Sequence, residues 1–174
     1  MTRWGRLALL VLLARWTVLF LFWPMRQNVI GASFLHLVSL PFHEAGHVLF
    51  SPFGTLMTAL GGSLMQVLVP LVCLVAFMTT SPNPFGAAVM TWWAGENLLD
   101  VAMYANDARA LQLVLIGGRT GAEVEGHDWE RILGMLGLLH RDHQIALVLQ
   151  ALGAIVMLGG IACAAWIALR KDDR

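Results

Sequence analysis

The segment His43-Glu44-Ala45-Gly46-His47 contains side chains suited to metal chemistry. On a helix, residues four positions apart lie one above the other, so the imidazoles of His43 and His47 can reach one ion. The glutamate between them can act as a general base toward a water molecule. Because this pattern is typical of zinc sites, we expect Zn²⁺ on His43 and His47, with Glu44 as the catalytic base.

A catalytic zinc site usually has three protein ligands, so a third ligand is required. Candidates lie on a later apolar segment, where polar residues fall within about a 100° arc of a helical projection. A polar stripe on an apolar helix must face a partner or water. The residues of this stripe are Glu96, Asn97, Asp100, Tyr104 and Asp107.

Two further histidines could belong to the same site. His36 lies seven residues before His43, on nearly the same helical stripe and about 10 Å away. It could line a cavity, stabilise a reaction intermediate or bond to a neighbouring backbone carbonyl. The polar sequence His127-Asp128-Trp129 could bind metal, gate access or recognise substrate, and a histidine held by its own loop explains it equally well.

The elements that must position these residues are apolar stretches long enough to cross a bilayer. The chain is 58% hydrophobic and 13% charged, so lipid is its expected solvent. We predict an all-α fold, a polytopic transmembrane helical bundle of about five to six membrane segments. With five segments and a cytoplasmic N-terminus, most arginines lie on the cytoplasmic side, but the basic C-terminal tail lies on the opposite side. A sixth crossing therefore stays open. The five stretches are Leu7–Trp23, Val29–Phe50, Thr55–Thr79, Phe85–Tyr104 and Gln144–Leu169.

We expect one membrane domain over residues 1–174, with a metal-binding core at 29–107, a polar loop at 105–143 and a C-terminal membrane helix at 144–169. Within the loop, Leu111–Ile116 is too short to span a bilayer, and Ile132–Leu139 could be an interfacial helix. In the second stretch, Pro41 predicts that the helix kinks or restarts, with Ser39 as its cap.

The charge pattern excludes one class of partner. The formal net charge is zero, and the basic residues are scattered along the chain. Nucleic-acid-binding proteins carry a clustered basic surface, so we expect no nucleic acid among the partners. The sequence gives no indication of the oligomeric state.

Three motifs, in this order, resemble the site-2 protease family of intramembrane zinc metalloproteases. The first is the HExxH sequence at residues 43–47, which is the family's metal motif. The second, Gly62-Ser63-Leu64-Met65-Gln66, is similar to the family's Gly-Pro-Leu-Ala-Asn element, with serine for proline and glutamine for asparagine. The third, Asn97-Leu98-Leu99-Asp100, resembles part of the helix that carries the family's last zinc ligand.

The resemblance implies residue roles. It makes Asp100 the third metal ligand, although Val101 replaces the glycine that the family has next, so Asp107 or His127 stays an alternative. It implies that the carboxamide of Gln66 holds substrate backbone, and we expect Asn97 and His36 to contact substrate as well.

The resemblance also implies a function, which is peptide-bond hydrolysis in membrane-embedded protein or peptide substrates. We expect a multi-pass integral protein of a bacterial cell membrane. Two other interpretations are kept open. One is a membrane zinc enzyme acting on a lipid or small amphiphile, suggested by the small size of the chain. The other is a non-enzymatic haem-binding membrane protein, suggested by the alignment of His36 with His43.

Overall fold

The computed structural model describes residues 2–23 and 25–170, and its regular structure is helical. The described residues form no β-strand, only an isolated antiparallel bridge between Val114 and Thr120. The predicted all-α fold is confirmed. The α-helices are α1 (Arg3–Phe22), α2 (Phe34–Phe50), α3 (Thr55–Thr79), α4 (Pro84–Asn106), α5 (Asp128–Met135) and α6 (Asp142–Leu169).

Three helical stretches among the described residues are long and apolar enough to cross a membrane. They are Arg3–Phe22, Thr55–Thr79 and Leu139–Leu169, the last being α6 with the 3₁₀ turn before it. Large apolar side chains such as Val11, Val72 and Ile155 are exposed on their outer faces. Contiguous apolar surface of this kind is compatible with a lipid environment.

The finer prediction of five to six membrane segments stays a prediction. α2 has only 17 residues, and α4 buries the polar side chains of Glu96, Asn97 and Asp100. Of the basic C-terminal residues on which the argument for a sixth crossing rests, Lys171 and Arg174 lie outside the described part of the chain.

The start of α2 corrects one sequence prediction. The helix begins at Phe34, five residues later than the apolar stretch suggested, because the Ser33 hydroxyl accepts a hydrogen bond from the His36 amide at 3.3 Å. The helix then continues through Pro41 without a restart. The prediction that Ser39 caps a second helix is therefore wrong. Ser39 is buried instead, and its hydroxyl accepts a hydrogen bond from the indole of Trp93 at 3.3 Å.

The short helix α5 also differs from its prediction. It begins at Asp128, four residues earlier than the Ile132–Leu139 helix that the sequence suggested, because the His127 side chain caps it. The segment 107–127 before it is irregular and runs from the end of α4 back to the bundle.

Packing fixes α5 against one end of the bundle. Its apolar face buries Trp129, Ile132 and Leu133. These side chains belong to a core cluster shared with α3, α4 and α6, whose other buried members are Ala59, Val101, Ala105, Ala108 and Ala146. An ion pair of 2.6 Å between Arg109 and the buried Asp142 ties the loop after α4 to the start of α6. The loop and α5 therefore form a cover over the ends of α2, α3 and α4.

Candidate metal centre

The backbones of α2 and α3 cross in direct contact where both helices carry glycine. A Cβ atom on Gly61 would lie 2.5 Å from the Gly46 carbonyl oxygen, and one on Gly46 would collide with the Gly61 carbonyl. At the next residue, a Cβ on Gly62 would lie 2.5 Å from Nε2 of His43 and 2.7 Å from Nε2 of His47. The glycines thus let α3 approach α2 closely and leave room for both imidazoles beside Gly62.

Hydrogen bonds fix both imidazoles in one orientation. Nδ1 of His47 lies 2.8 Å from the backbone carbonyl of Thr58, which can only accept, so this nitrogen carries a proton. Nδ1 of His43 lies 3.0 Å from Oε1 of Gln66, whose amide nitrogen donates to Asp100 at 2.6 Å. His43 must therefore also be protonated at Nδ1. In the neutral rings, both Nε2 atoms then present lone pairs, as metal-binding imidazoles do.

The third group at this point is Asp128, at the first position of α5. Its Oδ2 atom lies 3.2 Å from Nε2 of His43 and 3.2 Å from Nε2 of His47. Ligands of a tetrahedral zinc ion at its usual bond lengths stand about 3.3 Å apart. Two nitrogen lone pairs and a carboxylate oxygen can only approach this closely around a cation, which is either a proton on each ring or a shared metal ion.

The charge state of Asp128 suits a metal ligand. Burial would raise the pKa of its carboxyl, but the hydrogen bonds and charge of His43 and His47 outweigh burial and hold the pKa below its ordinary value. The carboxyl is therefore ionised at neutral pH. Two imidazoles and one carboxylate form a ligand set typical of catalytic zinc sites.

Glu44 completes the chemistry of the centre. One of its carboxylate oxygens and one ring nitrogen of each imidazole lie within 4.8 Å of one another, a grouping that could hold a metal ion. Unlike His43, Glu44 is exposed, and it faces a cavity of about 440 Å³. Its carboxylate is thus open to a water molecule or a substrate.

Three contacts hold α5 so that Asp128 reaches the imidazoles. Nδ1 of His127 accepts a hydrogen bond from the Glu130 amide at 3.2 Å and so caps the helix. The Tyr104 hydroxyl accepts one from the Asp128 amide at 3.0 Å. The indole of Trp129 donates to the Ser63 hydroxyl at 3.1 Å. The bonds to Tyr104 and Ser63 tie α5 to α4 and α3.

The cavity extends along α2 from His36 to His47 and is open to the outside. Polar side chains line the cavity, and the segment 113–116 of the loop contributes apolar side chains to it. The cavity is therefore suited to a substrate with both apolar and hydrogen-bonding groups.

The other residues singled out in the sequence have different surroundings. Asp100, predicted as the third ligand, accepts hydrogen bonds from Gln66 and His36. Asp107 accepts the backbone amides of Gln112 and Leu113, at 3.0 and 2.9 Å, and so shapes the loop after α4. Among the described residues, neither aspartate lies within 4.0 Å of a ring nitrogen of His43 or His47.

His127 and Asn97 are also engaged away from the centre. Nε2 of His127 points toward Asp107 at 3.4 Å, longer than a good hydrogen bond, while its Nδ1 caps α5. Burial lowers the pKa of His127, which keeps the ring neutral. The Asn97 amide donates to the Trp93 carbonyl at 2.9 Å. No described contact joins either residue to the imidazoles of the HExxH motif, and the role of Asn97 in substrate binding stays a prediction.

Sequence reasoning did not select Asp128, although it noted the His127-Asp128-Trp129 segment. The available signal was an aspartate between a helix-capping histidine and a tryptophan, in an otherwise irregular polar stretch. The sequence also gave no indication of a role for Thr58, whose backbone carbonyl oxygen orients His47.

The packing at Gly62 leads to a prediction. A methyl group in Gly62→Ala must push both imidazoles from their positions, so we expect zinc affinity to fall at least about tenfold while the protein stays folded. Zinc competition with a chromophoric chelator would measure this. Gly159→Ala is the matched control, because a Cβ there meets open space. Equal affinities for the two variants would contradict the geometry described here.

Comparison with known proteins adds no functional information. The searches against protein-family models, curated proteins and solved structures found no match. The resemblance of residues 43–47, 62–66 and 97–100 to the site-2 protease family thus stays an expectation from the sequence.

Proposed function

We propose that the chain is a membrane-embedded zinc metalloprotease that cleaves peptide bonds of membrane proteins or peptides. The observation that carries the proposal is the convergence of two imidazole Nε2 atoms and the Asp128 carboxylate beside the exposed carboxylate of Glu44. We propose His43, His47 and Asp128 as the metal ligands. Asp128 thus replaces Asp100 in the ligand set that the resemblance implied.

The proposed reaction is a hydrolysis. Zinc bound by these residues would lower the pKa of a water molecule and polarise a carbonyl group. Glu44 would accept a proton from the attacking water and return it to the departing amine. His43 and His47 are held by Gln66 and Thr58, so they would need little rearrangement on binding the ion.

A substrate helix would have to unwind locally before cleavage, because its backbone groups are already hydrogen-bonded to one another. The cavity along α2 provides room for such an unwound segment. Gln66, expected to bind substrate, already uses its amide oxygen and nitrogen in hydrogen bonds with His43 and Asp100. We propose that it supports the metal centre, with contact to substrate left to side chains that line the cavity, such as His36.

Metal removal tests the proposal. Purified protein in detergent should contain about one zinc per chain, as expected for a three-ligand site. Treatment with 1,10-phenanthroline should abolish cleavage of a panel of reporter peptides containing transmembrane segments, and added Zn²⁺ should restore it. Cleavage that is unaffected by the chelator would contradict the proposal.

The same protein should be incubated with lipid extracts. Chelator-sensitive lipid turnover without peptide cleavage would replace the protease by a metalloenzyme acting on amphiphiles. A Soret band in place of zinc would indicate a haem protein. Each outcome would therefore assign the centre differently.

A further inference from the structure

A chain of hydrogen bonds links the far end of the cavity to a proposed metal ligand. Nδ1 of His36 lies 2.8 Å from Oδ2 of Asp100, and the same oxygen accepts the Gln66 amide nitrogen at 2.6 Å. The Gln66 amide oxygen lies 3.0 Å from Nδ1 of His43. This series of hydrogen bonds thus runs from His36 on α2 to α4, then to α3, and returns to α2 at His43. Asp100, Gln66 and His43 are buried, while His36 lines the cavity.

The chemistry of Asp100 sets the direction of this chain. Oδ2 of Asp100 accepts the hydrogen bond from the Gln66 amide nitrogen, so the NH₂ group of Gln66 is turned toward Asp100. Its carbonyl oxygen then faces His43 and can only accept. His43 must consequently carry its proton on Nδ1, which leaves the Nε2 lone pair directed at the point shared with His47 and Asp128.

We propose that Asp100 is a positioning residue for the metal centre, which acts through Gln66 to hold His43 in its metal-binding tautomer. The inference rests on the proposed metal site but gives Asp100 a role different from that of a ligand. Groups that hydrogen-bond to a metal ligand hold that ligand in its metal-binding orientation, and their loss typically costs 10- to 100-fold in metal affinity or activity.

Asp100→Asn is the first test, because asparagine keeps the shape of aspartate but can also donate. Gln66 is then free to turn over and donate to Nδ1 of His43, which would move the imidazole proton to Nε2. We expect zinc affinity to fall by about 10- to 100-fold. In the metal-free protein at alkaline pH, where imidazole rings are neutral, ¹⁵N NMR of labelled histidines should show His43 changing from the Nδ1–H form to a mixture of tautomers.

Exchanging the two groups provides a rescue. In the double variant Asp100→Asn with Gln66→Glu, the acceptor-only carboxylate faces His43 directly, and the asparagine can donate to it. The double variant keeps the number of carboxyl groups and nearly the same side-chain volume as the wild type. We expect the Nδ1–H tautomer of His43 to return, together with most of the lost zinc affinity.

Glu96→Gln is the matched control. Glu96 lies one turn before Asp100 on α4 and is fully buried, and neither of its carboxyl oxygens has a hydrogen-bond partner among the described residues. The variant should leave the tautomer of His43 and the zinc affinity unchanged. An equal effect of Glu96→Gln and Asp100→Asn would overturn the proposal, because it would show that changing any buried carboxyl group of α4 to an amide suffices.

The remaining outcomes are also decisive. An unchanged His43 tautomer and zinc affinity in Asp100→Asn, or a double variant with the Nε2–H form, would overturn the proposal. If Asp100→Asn does not fold, the double variant alone tests it. The tautomer is measured without metal or substrate, so a chain that cleaves no peptide but shows the shift would refute only the proposed protease function.

Discussion

Replacing Asp128 by alanine is expected to lower zinc affinity more than about 100-fold, beyond the range typical for groups that only orient a metal ligand. Asp128 supplies the only acidic contact to the paired Nε2 atoms among the described salt bridges, at 3.2 Å from each. Without it, the ion keeps the two neutral imidazoles but loses the carboxylate that lies 3.2 Å from both Nε2 atoms. Competition with a chromophoric chelator would give the affinity, and metal analysis after dialysis would give the stoichiometry.

Glu130→Ala is a suitable control for this variant. Glu130 lies on the same short helix, also carries a negative charge, and makes no side-chain contact with the imidazoles among the described residues. It should bind zinc like the wild type. If Asp128→Ala also retained wild-type affinity while Asp100→Ala lost the metal altogether, Asp100 would be the third ligand, as the family resemblance implied.

The second large effect is expected for Glu44→Gln. The amide has the shape of the carboxylate but cannot take a proton from water, so turnover should fall by about 10²- to 10⁴-fold, the usual contribution of a general base. The imidazoles and Asp128 are unchanged, so zinc should stay bound at one ion per chain. Cleavage of a transmembrane reporter peptide and metal analysis on the same preparation would measure both.

Glu130→Gln makes the same change of charge outside the cavity and should leave turnover near that of the wild type. Full activity of Glu44→Gln would reject the proposed base. Loss of both zinc and activity would instead mean that Glu44 takes part in binding the ion.

Regular helices were the part of the fold that the sequence predicted well. The bounds of α3 agree with the predicted Thr55–Thr79, because glycine precedes the apolar run and a polar turn follows it. The HExxH motif also placed His43 and His47 together, since their spacing repeats with the turn of a helix. Both predictions depend only on residues that are near one another in the chain.

The third acidic group could not be found by the same reasoning. A search for a polar stripe on an apolar helix selected Asp100, and that stripe does face polar partners, His36 and Gln66. Asp128 is brought in by a short helix after an irregular loop. Its place depends on tertiary contacts made by Tyr104 and Trp129, which no periodicity in the sequence encodes.

The division of the proposed metal centre between the bundle and α5 would couple ion binding to the docking of the loop segment. Two imidazoles belong to α2, whereas the carboxylate belongs to a helix tethered through segment 107–127. By thermodynamic linkage, an ion that binds only the docked arrangement stabilises it by about 2.7 kcal/mol when present at 100 times its dissociation constant. The zinc concentration would thus set how stably α5 and the loop cover the cavity. Without the ion, α5 would be docked less stably.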